Sequence, residues 1–318
     1  MIEDIMTRIS SRIQEIQNNI GKVFVGKETI IRLLVTGLVS GLHVLIEDVP
    51  GVGKTTLARA LSASLGLDFC RIQFTPDLLP GDIIGMSVWH STKSEFLFKE
   101  GAIMHQFVLA DEINRASPRT QSSLLEAMQE ESVTVDGETY SLPQPFFAVA
   151  TQNPSSFTGS FQLPEGELDR FGISFSIGYP SAEDEKEILQ RFREENPLEI
   201  LEPVIGPQEV QTVRTSVRGI FLADEVQDFI IEIVEKTRTH NAVQLGASPR
   251  ASQHLQRAAQ GRALVEGREF VIPEDVITIA APVLAHRLIL NAEAKMANLN
   301  APEVVGEILK ECNVPIGI

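Results

Sequence analysis

A chain of 318 residues, 43% hydrophobic and 22% charged, has room for about two domains with a sizeable core and is neither disordered nor fibrous in composition. Its net charge of −16 argues against nonspecific binding to duplex nucleic acid. With only Cys70 and Cys312, no apolar run of bilayer-spanning length and an acidic Met1-Ile2-Glu3-Asp4 start, the expectation is a soluble cytoplasmic protein with reduced thiols.

Ile5, Ile9, Ile13, Ile16 and Ile20 recur at helical spacing and predict an amphipathic helix over residues 3–20. A loop at 21–27, including Val25 and Gly26, precedes a second helix over 28–40; it is either a cover for a nucleotide base or a plain connection. His43-Val44-Leu45-Ile46 then reads as a buried strand. Asp48-Val49-Pro50-Gly51-Val52-Gly53-Lys54-Thr55-Thr56 follows, and a helix ending at Gly66 comes next. Strand, glycine loop, Gly-Lys-Thr and helix is the context of a phosphate-binding loop. Gly51 and Gly53 let backbone N–H groups wrap phosphates, Lys54 is placed for the β/γ-phosphates and Thr55 for Mg²⁺. Asp48 stands where that pattern has glycine, and a carboxylate there is unfavourable beside phosphates unless it points away.

Residues 68–74 alternate as a strand, and a turn-rich stretch leads into 83–98, which holds the only tryptophan, Trp89. That segment predicts an inserted hairpin around a short helix, either facing a substrate or forming a simple excursion. The apolar run 106–110 ends in Asp111-Glu112, two carboxylates at the C-terminal edge of a parallel sheet, where open α/β folds bind ligands. Asp111 is placed to hold Mg²⁺ directly or through water, and Glu112 to polarise the water that attacks the γ-phosphate. Ser117-Pro118 opens a helix to about residue 130, and alternation around Asp136-Gly137 predicts a hairpin. Strand 146–152 ends at Asn153, which either contacts the attacking water or γ-phosphate or begins a turn with Pro154. Asp169-Arg170 precedes a fifth strand over 173–177; Arg170 is a cation at the sheet's edge, for which an ion pair with Asp169 is the plain alternative. Beyond Tyr179-Pro180-Ser181 strand signals stop and helical ones take over, so the boundary predicts domains 1–179 and 180–318. His254 and His286 have no partners at metal-ligand spacing and read as structural.

Taken together, these motifs resemble the MoxR branch of AAA+ ATPases over nearly the whole chain. The resemblance is carried by the phosphate loop, Arg71-Ile72-Gln73-Phe74-Thr75-Pro76-Asp77-Leu78-Leu79-Pro80 and Leu109-Ala110-Asp111-Glu112-Ile113-Asn114-Arg115-Ala116. Ala150-Thr151-Gln152-Asn153-Pro154, Leu163-Pro164-Glu165 with Leu168-Asp169-Arg170-Phe171, and Gly246-Ala247-Ser248-Pro249-Arg250 complete it. It implies an α/β P-loop NTPase core with a parallel five-stranded sheet and a C-terminal all-helical lid. It also implies a helix-2 insert at about 83–98 and a hairpin at about 133–142 before sensor 1. Asn153 then matches sensor 1, and Arg250 matches sensor 2, reaching the γ-phosphate from the lid. Arg170 matches an arginine finger acting on the neighbouring subunit's ATP, with Arg115 and Arg119 as rivals. Such geometry implies a head-to-tail ring, a hexamer by analogy, binding ATP/ADP and Mg²⁺. Relatives of this kind work with a partner carrying a von Willebrand factor A domain, as chaperones in complex assembly or metal insertion. A nucleic-acid-stimulated ring motor and an ATP-gated scaffold with little hydrolysis are the alternatives.

Overall fold

The computed structural model describes residues 2–153, 161–194 and 196–315, with side chains from residue 8. Pro154 lies outside the described residues, and the side chain of Ile5 outside those described. In chain order the strands are β1 (Val44–Glu47), β2 (Phe69–Gln73), β3 (Gly85–His90), β4 (Glu95–Glu100), β5 (Phe107–Asp111) and β6 (Ser132–Val135). They continue with β7 (Glu138–Ser141), β8 (Phe147–Gln152), β9 (Ile173–Phe175), β10 (Val243–Leu245) and β11 (Ile289–Leu290).

Five of them form one parallel sheet in the order β2-β5-β8-β1-β9. The strands at its centre read as unbroken apolar runs because both faces are covered, as parallel sheets require. Side-chain alternation sorts them cleanly. Val44, Ile46, Leu109 and Val149 point into a core shared with helices Ile2–Gly21, Glu28–Ser40 and Lys54–Leu65. Leu45, Val108, Ala110, Ala148 and Ala150 face the other side, against helix Pro118–Glu130. Register pairs such as Glu47↔Gln152 and Gln73↔Asp111 bring the C-terminal strand ends to one edge.

The inserted segment is a short helix, Pro80–Ile84, followed by the β3–β4 hairpin rather than enclosed by it. Gly85 fits that junction with φ 97°, and Trp89 and Phe96 meet edge to face at 5.1 Å on its exposed surface. The predicted hairpin around Asp136-Gly137 is β6–β7, and Tyr140 on it stacks on Phe98 of the insert at 3.9 Å.

After β9 the chain is helical, with Ala182–Glu194, Pro207–Val217, Asp224–Thr239, Pro249–Val265, Pro273–Leu284 and Ala301–Glu311 as its longer elements. One addition to the helical expectation is an antiparallel ribbon of β10 and β11. Strands of three and two residues are too short to leave a readable alternation. This helical region joins the same apolar core as helix Glu28–Ser40. The two are pressed so close that a Cβ on Gly261 would lie 1.9 Å from Ser40 Oγ. The C-terminal helices therefore dock where helix Glu28–Ser40 ends, beside the start of β1.

Candidate functional site

The loop between β1 and helix Lys54–Leu65 turns at Gly51 (φ 89°) and Gly53 (φ 92°), a region closed to most side chains. No side chain caps the helix, so its first N–H groups stay open to the loop's interior. Asp48 points away from that interior. Its Oδ2 accepts from Ile177 N (2.7 Å), Gly178 N (2.7 Å) and Ser176 Oγ (2.9 Å), and Oδ1 accepts from Val49 N (2.7 Å). Burial pushes this carboxyl's pKa up, but the four donors outweigh burial and hold it below the ordinary value. The unusual residue is thus a clasp between the loop's first residue and the segment after β9. Lys54 is buried and donates to the carbonyls of Asp48 (2.6 Å) and Val49 (3.2 Å). Burial lowers its pKa, opposed by Asp48, Asp111 and Glu112.

Because Asp48 is bound by its charge, its stabilising contribution is full above the ordinary carboxylate range and is lost as pH falls through its lowered value. Asp48→Asn is expected to cost about 2 kcal/mol at neutral pH and to shrink the acid-side fall in stability. Urea midpoints followed from about pH 7 to pH 3 check this, and equal pH slopes in both proteins would refute it.

At the same edge β5 delivers the two carboxylates. Asp111 Oδ1 accepts from Thr151 Oγ1 (2.6 Å), and Oδ2 from Arg71 Nη2 (2.6 Å) and Nε (3.0 Å). Glu112 takes a left-handed backbone, φ 57° and ψ 49°, which is strained for a residue with a Cβ. Its N–H donates to Thr151 Oγ1 (2.9 Å), while Oε2 accepts from Gln73 Nε2 (3.2 Å) and Arg115 Nη1 (2.9 Å). The strain is held by this network, which aims the carboxylate off the end of the strand. Asn153 follows β8 at the same edge, and its carbonyl accepts from Asn114 Nδ2 (3.2 Å). Arg71, Gln73 and Thr151 carry these carboxylates, a role for which the sequence offers only polar side chains at strand ends.

Beside the loop lies a cavity of about 240 Å³ lined by Phe24, Val25, Gly51, Val52, Gly53 and Thr56 on one side. Ile177, Gly178, Ile188 and Phe192 close the other. This apolar slot next to open N–H groups suits a flat heterocycle joined to phosphates. Gly26 lies behind it, and a Cβ there would strike Asp184 at 2.0 Å, so glycine lets helix Ala182–Glu194 close on the 21–27 loop.

The arginines lie elsewhere. Asp169-Arg170 precede β9, and Gly172 N donates to His43 O (2.9 Å) at the start of β1. In a parallel sheet this is the edge opposite the phosphate loop, five extended residues or about 16 Å away along β1. Arg170 lines a cavity of about 170 Å³ with Arg250, Arg257, His43 and His254. Its Nε has no hydrogen-bond partner among the described residues. Asp169 does not serve Arg170; it accepts from Arg287 Nε (2.8 Å), Ser248 Oγ (2.9 Å) and Arg250 Nη1 (3.4 Å). The histidines add no charge here: burial, then neighbouring cations, pushes His254 down to about 3, and burial brings His43 to about 4. Arg250, expected to reach the γ-phosphate from the lid, sits at this far edge beside Arg170. The reason is the docking of helix Pro249–Val265 against helix Glu28–Ser40 rather than over the loop. Arg115 is paired with Glu112 of its own chain, and Arg119 is exposed on helix Pro118–Glu130.

Residues 43–173 match the model of the ATPase family associated with various cellular activities (AAA), and residues 235–308 that of the AAA lid domain. Chaperone MoxR1 of Mycobacterium tuberculosis is 38% identical over 303 residues, covering 92% of this chain and 80% of that protein. The chain belongs to the MoxR family of AAA+ ATPases. Protein YeaC of Bacillus subtilis is 48% identical over 298 residues, 94% of this chain and 93% of the relative. A crystal structure from Cytophaga hutchinsonii superposes with a TM-score of 0.92 at 36% identity, covering 99% of this chain and 98% of that one. This MoxR-family protein is accordingly an ATP hydrolase built on the AAA+ core and a helical lid. Among the described residues no helix is long and apolar enough to cross a membrane.

Proposed function

We propose that this MoxR-family ATPase hydrolyses Mg²⁺·ATP at sites shared between neighbouring subunits of a head-to-tail ring, and uses the cycle to remodel a protein partner. The observation that carries the reading is the separation of Arg170 and Arg250 from the phosphate loop, at opposite edges of one sheet. Cations that cannot reach their own chain's phosphates can reach those of the next copy, and repetition of such a heterologous contact builds a ring where its rotation closes. Within one site, Lys54 and the loop N–H groups of Gly51, Val52, Gly53, Thr55 and Thr56 bind the phosphates. Phe24, Val25 and Ile177 enclose the base, with Gly26, Asp48, Val49 and Pro50 shaping the walls.

Thr55 and Asp111 fit a magnesium ion, which takes few protein ligands and completes its shell with phosphates and water. Asp111 already stands fixed by Thr151 and Arg71 at the mouth of the loop. Bound there, Mg²⁺ would supply positive charge to neutralise the charge that develops on the phosphates. Glu112 takes the proton of the attacking water, and Asn153 orients that water or the γ-phosphate. Arg170 and Arg250 of the next subunit neutralise charge on the transferred group. The partner class implied by the family resemblance is a protein with a von Willebrand factor A domain. The exposed Trp89–Phe96 hairpin is the surface best suited to meet a client.

Turnover per subunit is therefore expected to rise steeply with protein concentration and to level off as rings fill. Steady-state phosphate release measured beside sizing at each concentration tests this. Full turnover by a species that sizes as a monomer would overturn the shared site.

A further inference from the structure

A cavity of about 260 Å³ opens at the arginine edge, between the end of helix Glu28–Ser40 and helices Pro207–Val217 and Pro249–Val265, and adjoins the Arg170 cavity through Gly41, Glu131 and Arg257. Arg214, Arg218 and Arg257 line it, and in a chain of net charge −16 the one carboxylate in its wall is Glu131. Arg214 lies over the Phe147 ring at 5.7 Å and donates through Nε to Leu38 O (2.9 Å) and through Nη1 to Phe146 O (2.9 Å). Its Nη2 has no partner among the described residues, and neither does the buried Ser40 Oγ beside it. Burial lowers the Arg214 pKa to about 10, which leaves the group charged at neutral pH. The side chains of Arg218 and Arg257 are exposed at the rim and form no hydrogen bond or ion pair with a described residue. Glu131 is the charge that opposes the effect of burial on Arg214, but three cations against this one carboxylate leave the wall in want of negative charge.

We propose that this cavity is an oxyanion site distinct from the phosphate loop, taking either free phosphate or a carboxylate presented by a second copy of the chain. Guanidinium forks match both groups with paired N–H donors. Gln211, Thr215 and Gln260 supply further polar groups around them. A whole nucleotide does not suit the site, because Val217 is the sole sizeable apolar side chain in its wall, unlike the slot of Phe24, Ile177, Ile188 and Phe192.

The test uses the full chain saturated with ADP and Mg²⁺, so that the phosphate loop is filled. Sodium phosphate is titrated calorimetrically against sodium chloride at equal ionic strength. If free phosphate is the occupant, a saturable heat is expected that weakens about tenfold in Arg218→Ala and strengthens in Glu131→Gln. If a second copy supplies the anion, sizing across concentration should show self-association that is weakened by phosphate and by Arg218→Ala. Both substitutions are at exposed side chains and leave the Arg214 contacts in place. The proposal fails if phosphate uptake and self-association are both unchanged in Arg218→Ala. That failure would leave the shared-site reading untouched, since Arg218 does not line the Arg170 cavity.

Discussion

Glutamine in place of Glu112 is expected to leave ATP binding within about twofold and to cut turnover between about a hundredfold and ten-thousandfold. The side chain keeps its shape and one oxygen for the donors at Gln73 and Arg115, so the loop and the adjoining slot are undisturbed. What it loses is the capacity to take a proton from water. The substituted protein should trap ATP, visible as retained unhydrolysed nucleotide after rapid desalting. Near-normal turnover would sink Glu112 as the base. In that event the left-handed backbone at this position would be strain without a catalytic purpose.

The second large effect concerns Arg170. Replacement by alanine is expected to lower turnover about a thousandfold, the order found for arginines that complete a phosphoryl-transfer site from a neighbouring subunit. The more telling result is a mixture. Lys54→Ala protein lacks a working loop but keeps its arginine edge, and Arg170→Ala protein is the reverse. Mixed in equal amounts before assembly, the two inactive proteins should regain activity, because roughly a quarter of the interfaces then join a good loop to a good arginine. A mixture as inactive as its components would mean that each chain completes its own site. Arg250→Ala should behave like Arg170→Ala in the same mixing experiment.

Much of this was legible from residue order. Strands buried on both faces print apolar runs that a short window detects, and the glycine loop, the Asp111-Glu112 pair and Asn153 each follow directly on such a run. What the residue order hides is contact between segments far apart in the chain. Arg71 meets Asp111 across a strand pair forty residues away, and Asp48 meets Ser176, Ile177 and Gly178 at a still longer separation. In both cases local composition shows a charge and conceals its partner. Arg250 shows the same limit in a stronger form. Its motif marks a helix start, but which edge that helix visits depends on Gly261 packing against Ser40, a fact of tertiary fit. The β10–β11 ribbon escapes for a simpler reason, being too brief to carry a period.

The Asp48 clasp also has a mechanical consequence. Its carboxylate grips Gly178, which lies four residues before the helix Ala182–Glu194 begins, and Ile188 and Phe192 on that helix form the far wall of the base slot. A nucleotide that shifts the loop therefore pulls on a crank only a few bonds long, and the base pushes the same helix from its other side. Occupancy of the pocket would thereby reach the C-terminal helices without a long relay. Those helices also carry Arg250, so in the proposed ring the state of one pocket would be geared to the arginine offered to the next.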